Sequence, residues 1–350
     1  MNSIIAVCGE RSKVIDYSSI YETSTDYQTY SSQTTGYDAE GQLTSAIQYV
    51  TNENLQTVYE ITGHGETELS GSFKESIEKM NLDLQTLNLL EADAVPKDCE
   101  AVVINGPTSD FSKDDADKII DYLSDGGKVL MTTTFMAEKM DQFKRILEAY
   151  ELQLEDGLVI ETSDQNYYQN PLYLLPDLSY DTITADVSDE YVCMPYAQGL
   201  SYPKEEEDGI SYTQLLGTSD GAFVKTDVQN MMSFEKEDGD LDGPFTVGIS
   251  VVDTKTQAQM IVYTSLAMFS EAADEIVAGH NFSLFSSSIR SLVGEQETSS
   301  LIVIPVKEYT LGTITVSQGT TLLTGFFTVI AVPVLLTAAG ILIWMRRRKA

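Results

Sequence analysis

The chain has 350 residues, 42% of them hydrophobic, and carries 54 acidic against 21 basic side chains for a formal net charge of −33. So acidic a surface repels DNA, RNA and anionic headgroups, which excludes nucleic-acid binding; the apolar fraction suffices for a packed core and excludes a disordered chain. Three cysteines, Cys8, Cys99 and Cys193, are too few and too scattered for a disulfide framework or a thiolate metal site, and they read as free buried thiols.

In chain order, residues 1–54 come first. The apolar run Ile4 to Val7 is short and follows no basic residue, so it reads as a strand rather than a secretion signal or a span. Tyr17 to Tyr37 is rich in Ser, Thr, Tyr and Gln with almost no aliphatics, and reads as an exposed, irregular arm. A helix follows, with Leu43, Ala46, Ile47 and Val50 predicted on its apolar face.

Residues 55–155 carry the clearest fold signal. Thr57 to Thr62 is β-rich and ends in Gly63-His64-Gly65-Glu66. A helix follows with Leu69, Phe73, Ile77 and Met80 on one face, then a strand near Leu84 to Leu87. The apolar run Ala101 to Ile104 ends in Asn105-Gly106-Pro107. Ser112 and Asp115 form a capping box for a helix that buries Ala116, Ile119, Ile120 and Leu123 and stops at Gly126-Gly127. Lys128 to Thr134 is the next strand, and a helix through Phe143, Ile146 and Leu147 completes βαβαβα. The pattern predicts an α/β fold with a mostly parallel, doubly wound sheet. Ligands of such sheets sit beyond the carboxyl ends of the strands. Gly63, His64, Gly65, Glu66 and Asn105 are therefore the candidate ligand-binding residues, with Glu66 expected at a helix N-terminus.

Residues 156–300 are a mixed α/β second half that either extends this sheet or forms another domain. Strands are expected at Leu158 to Ile160, Tyr191 to Met194, Thr246 to Val252 and Met260 to Thr264, and a helix through Phe282, Phe285, Ile289 and Leu292 ends at Gly294. Asp238, Asp240 and Asp242 match the first half of a calcium loop, but Ile249 stands where the closing Glu belongs; a solvated acidic turn is the default and no metal or other cofactor is expected.

Residues 301–319 form a juxtamembrane β segment, and residues 320–345 run without a charge, long enough to cross roughly 30 Å of hydrocarbon as a tilted helix. Trp344 stands at the interface, and Arg346, Arg347, Arg348 and Lys349 follow as a basic stop in the tail 346–350. Basic flanks stay in the cytoplasm, so everything before Thr320 is expected outside, as an ectodomain with 54 acidic against 17 basic residues. Export of that ectodomain is expected to use a membrane segment supplied upstream, or the C-terminal span itself.

Several stretches resemble one family. Glu40 to Val50 (EGQLTSAIQYV), Val58 to Glu66 (VYEITGHGE), Ala101 to Phe111 (AVVINGPTSDF), Asp121 to Leu130 (DYLSDGGKVL) and Gln214 to Ser219 (QLLGTS), with the helix near Gly279 to Val293 and the terminal span, are similar to the GldG-like, gliding-motility-type auxiliary components of ABC transporters. The resemblance implies a glutamine-amidotransferase-like α/β fold and a non-catalytic extracytoplasmic component beside a membrane permease and, through it, a cytoplasmic P-loop ATPase. The chain departs from the family in lacking an N-terminal span. Asp181-Thr182-Ile183-Thr184 stands where a His-Pro-Ile-Thr sequence is common, and Tyr263 to Phe269 lacks a Gly-Asp step. Two other classes stay open: an amidotransferase-like hydrolase using His64 and Glu66, and a free-standing glycan or peptide receptor. Against the hydrolase, neither Asn105-Gly106-Pro107 nor Thr132 to Phe135 holds a nucleophile at a strand-to-helix elbow. The chain also has no P-loop.

Overall fold

The computed structural model describes residues 3–9, 11–26, 31–51, 55–69, 71–136, 138–203, 209–294, 304, 307–308 and 318–349. Strands β1 (Ser3–Cys8) and β2 (Arg11–Asp16) form an antiparallel hairpin. Strands β3 (Tyr21–Asp26) and β4 (Ser31–Tyr37) form a second one, to which Lys307–Glu308 adds along β4. Within the polar arm, Tyr17–Ile20 is a 3-10 turn, and Tyr21–Asp26 and Ser31–Tyr37 are paired strand rather than irregular chain. Its Thr and Tyr residues suit a pleated backbone, and cross-strand pairing supplies what aliphatic periodicity did not signal. Helix α1 (Ala39–Thr51) packs Ala39 and Ala46 against Ile15 and Ile20, while Leu43 and Ile47, predicted on its buried face, are exposed.

The main body is built on a ten-stranded sheet. Its parallel part runs in the order β6 (Asp83–Asn88), β5 (Thr57–Thr62), β7 (Cys99–Asn105), β8 (Lys128–Thr132) and the strand Gln259–Tyr263. From there the sheet turns antiparallel through Thr246–Asp253 and Ile210–Gly217 to Asp177–Leu178. Residues on both sides of position 155 thus share one sheet. The strand Ile210–Gly217 was not anticipated, and Tyr191 to Met194 contributes only Met194–Pro195 to a minor pair.

Alternation along the central strands divides the core in two. Val58, Ala101, Val103, Leu130, Ile261 and Tyr263 face α2 (Gly71–Lys79) and, further along the chain, the helix His280–Val293, whose Phe285, Ile289 and Leu292 fill that side. Tyr59, Ile61, Val102, Ile104, Val129 and Met131 face α3 (Lys113–Ser124) and α4 (Asp141–Glu148). Near-continuous apolar strands are what a sheet covered on both faces requires. The predicted helix faces on α2, α3 and α4 are the buried ones, and the predicted Gly294 stop terminates the helix at positive φ (+73°).

The C-terminal helix, Gly319–Arg348, contains an 18-residue stretch with a mean hydropathy of 2.5, none of it buried in the body, so it is long and apolar enough to span a membrane. Phe326–Ala331 forms a π-helical turn just before Pro333, and Val332 N–H bonds the Phe327 carbonyl. Proline lacks an N–H and crowds the preceding turn, which accounts for the slipped register. Arg348 lies over the Trp344 ring. Among the β-rich stretches expected before the span, Thr313 to Val316 and most of Leu301 to Val306 lie outside the described residues.

Phe285 packs edge-on against Phe73 and Phe269 in the closed core between the two helices. Phe285→Ala is expected to cost about 3–5 kcal/mol, read as a lower urea midpoint; a loss below about 1 kcal/mol would contradict this packing.

Candidate functional site

The loops that leave β5 and β7 are stitched together. Thr67 N–H donates to the Asn105 carbonyl at 2.9 Å, and the Asn105 side-chain amide donates to the Thr67 carbonyl at 2.8 Å. Thr108 and Ser109 N–H groups converge on the His64 carbonyl at 3.1 and 2.9 Å. Gly65, at φ +75°, lies so close to Thr108 that a Cβ would fall 2.2 Å from its hydroxyl. Glycine is required here by both the left-handed backbone and the close approach.

His64 is the centre of this junction. Its side chain is 4% exposed, its Nδ1 lies 3.3 Å from Glu66 Oε1, its Nε2 lies 3.2 Å from Asp115 Oδ2, and its ring stacks on Phe111 at 4.0 Å. Glu66 Oε2 also accepts the His64 backbone N–H at 2.7 Å. Asp115 is the capping-box residue of α3. Its N–H donates to Ser112 Oγ, and its carboxylate accepts from the Ser112 hydroxyl and from Lys118 Nζ at 2.9 Å. Lys118 also donates to the Leu89 carbonyl beyond β6. Asp110 in the same loop caps α4 by accepting the Phe143 and Gln142 N–H groups. One set of ionic and capping contacts therefore fixes the carboxyl ends of β5, β6 and β7 and the starts of α3 and α4.

Burial alone would push His64 down, but the hydrogen bonds and charges of Glu66 and Asp115 outweigh it and hold the imidazole above its ordinary value. Burial likewise opposes ionisation of Glu66 and Asp115. For Glu66, His64 and two backbone N–H groups reverse the effect; for Asp115, Lys118, Ser112 and His64 do, so both carboxyls lie below the usual range.

This geometry corrects two expectations, for Glu66 and His64, and shows how the Asn105 side chain is held. Glu66 is not at a helix N-terminus, since α2 starts only at Gly71, and its carboxylate is turned back onto its own loop. His64 has a carboxylate at each ring nitrogen, so neither is left for a substrate. Asn105, buried at the end of β7, has its amide oxygen taken by Thr132 Oγ1 at 2.8 Å and its nitrogen by Thr67. The glycine-flanked turn is a clamp rather than an open ligand site.

The open site lies beside it. A cavity of about 430 Å³ at the carboxyl ends of the parallel strands is bounded by Thr67 and Glu68 after β5, Asn105, Thr134 and Phe135 after β8, the turn at Pro195-Tyr196, and the segment 266–270 that follows Gln259–Tyr263. Sequence reasoning missed Glu68, Phe135, Tyr196 and Phe269 because separate loops bring them together. The capping box did flag Asp115, though as a helix start and not as a histidine partner.

The acidic run is also not a calcium loop. Asp240 bonds the Lys225 ammonium at 3.2 Å and the N–H groups of Thr226 and Glu237, and Lys225, 1% exposed, also pairs with Glu237 at 2.7 Å. Asp242 pairs with Lys236, and Asp238 is exposed. A fixed ammonium stands where a metal would be held, and the described residues contain no cluster of three metal-ligating side chains. Of the cysteines, Cys8 is exposed and Cys193 buried, all three are free, and burial pushes the Cys99 thiol up to about 11 and Cys193 up to about 12. Shifts in this direction favour the protonated thiol at neutral pH.

No family model matches the chain, and no curated protein does. Among solved structures the chain is similar to the mmIFT52 N-terminal domain, at 15% identity and a TM-score of 0.51, over 69% of this chain and 99% of that one. It is also similar to a putative GMP synthase protein from Thermoplasma acidophilum (8% identity, TM-score 0.38, 69% and 96% covered). A third likeness is to PurLQS from Thermotoga maritima (10%, 0.34, 68% and 100%). The first likeness concerns the α/β fold alone, and the other two are too distant to carry an argument.

The charge pattern sets a pH dependence. A raised histidine stabilises fully below its unfolded value near 6.5, and the effect is lost as pH rises through the folded one; the depressed carboxyls stabilise above their ordinary values near 4 and lose effect as pH falls. The clamp is thus strongest between about pH 5 and 6.5. His64→Gln is expected to cost about 3–5 kcal/mol in that window, because two buried carboxylates lose their shared cation, and less at higher pH. Denaturation midpoints of both proteins across pH check this; a pH-independent loss would contradict a charged clamp.

Proposed function

We propose that this chain is a membrane-anchored, non-catalytic extracytoplasmic auxiliary subunit of an ABC transport system, which docks to a permease and presents a ligand at the carboxyl ends of its parallel strands. The observation that carries the reading is the junction between body and anchor. Gly319, at the start of the apolar helix, donates its N–H to the Asp164 carbonyl at 3.1 Å. A body bonded to the head of its own span is held close to the bilayer surface, where the outer loops of a polytopic permease would meet it. The basic residues at the other end of that helix support a cytoplasmic tail and an external body.

The strand ends support the absence of catalysis. His64 is saturated by carboxylates, the elbows after β7 and β8 carry Asn105-Gly106-Pro107 and Thr132-Thr133-Thr134, and ATP hydrolysis would fall to a separate polypeptide. The resemblance of stretches within residues 40–130 to the GldG-like pattern adds the transporter context.

Purification of the tagged full-length chain from native membranes in mild detergent, with mass spectrometry of what accompanies it, tests the reading. A polytopic permease and a P-loop ATPase are expected. Recovery of the chain alone, under conditions that keep a control transporter assembled, would overturn it.

A further inference from the structure

The cavity beside the clamp has a chemistry of its own. Its lining includes the aromatic residues Phe135, Tyr196 and Phe269, the last only 3% exposed, and Glu68 contributes a carboxylate. No Lys, Arg or His lines it, and among the described residues no ion pair holds Glu68. Of the other polar side chains, Asn105 is bonded on both sides of its amide, Ser270 donates its hydroxyl to the Ala267 carbonyl while accepting the Ala273 N–H, and the Thr67 and Thr134 hydroxyls complete the lining. What the site offers a ligand is chiefly ring faces, apolar surface and one negative charge.

Tyr196 is held there against backbone preference. It sits at φ +57°, unusual for a residue with a side chain, and its N–H donates to the Leu172 carbonyl at 2.8 Å. Its ring packs at a steep angle on Tyr173 with centroids 5.6 Å apart, yet the residue stays exposed at the cavity mouth. The Phe269 ring is enclosed in the core by Phe73, Tyr263 and Phe285. Rigid, braced rings without a cation of their own are suited to a ligand that brings one.

We infer that this cavity binds a small organic cation with a quaternary ammonium head, the head against the Phe135 and Tyr196 rings and its charge balanced by Glu68. A cavity of about 430 Å³ falls in the range of small-molecule sites. A quaternary ammonium has no N–H to donate and so needs no hydrogen-bond acceptors from the walls. It is instead drawn to ring faces and cheaply desolvated. Such a ligand also matches the acidity of the body, which concentrates cations at its surface.

The inference rests on the ligand-presenting part of the function proposed above, but its test does not use the transporter. Calorimetry on the full-length chain in detergent would compare choline with its neutral isostere 3,3-dimethylbutanol. Choline is expected to bind, with the isostere at least about 10-fold weaker. Glu68→Gln and Tyr196→Gly should each weaken choline by about 5- to 30-fold; glycine removes the ring while relieving the positive φ, so this variant is expected to fold. No choline binding in the millimolar range, or equal binding of the two probes, would overturn the inference. Co-purification with a permease can succeed or fail independently of either result, so the two readings fail separately.

Discussion

The structure depends on one imidazole buried between two carboxylates. His64 projects from the end of a central parallel strand into a space closed off from solvent, and a neutral imidazole there could donate to only one of Glu66 and Asp115, leaving the other carboxylate against a ring lone pair. Protonation turns that repulsion into two ion pairs. Because Asp115 is also the first-turn residue of α3 and the partner of Lys118, the same contact fixes a helix start and reaches the end of β6. Three strand ends and two helix starts are thereby held by one group of side chains, and the loop that carries Glu68 takes its position from it.

That arrangement explains why the strongest sequence motif and the open site are neighbours without being the same. The crevice beyond the carboxyl ends of the strands is the usual ligand position in α/β sheets. Here its part between β5 and β7 is filled by the clamp and by the paired loops around Asn105. The remaining cavity is displaced toward β8 and Gln259–Tyr263, where loops from the second half of the chain close it. The sheet and its apolar helices supply a rigid frame for those loops, and the C-terminal helix is suited to tie the frame to a membrane.

Much of the frame was legible in the sequence because it obeys local periodicity. Phe73, Ile77 and Met80 on the α2 side, and Ala116, Ile119 and Leu123 on α3, are spaced for one helix face and are buried as spaced. The Ser112 cap, the Gly294 stop and the apolar span were equally readable. What failed lacked a local signal. The β3–β4 hairpin is defined by pairing, and of the four residues that share a helical period on α1, Ala46 and Val50 are buried while Leu43 and Ile47 are exposed. The site was half legible. Gly63 and Gly65 marked a tight turn, but the partnership of His64 with Asp115 spans 51 residues, and the cavity draws on positions from Thr67 to Ser270. No spacing rule reaches across such separations. The acidic Asp238 to Asp242 run was misleading for the same reason: its counter-ion, Lys225, comes from another strand.

The most direct measurement is a proton NMR titration of histidine ring signals in the full-length chain, which has just two histidines, His64 and His280, so that a His280→Gln variant assigns His64. The account predicts that His64 titrates above the ordinary value of about 6.5 and that Asp115→Asn lowers it. A His64 that titrates at or below about 6.5, unmoved by Asp115→Asn, would contradict the buried cation on which this description of the strand ends is built.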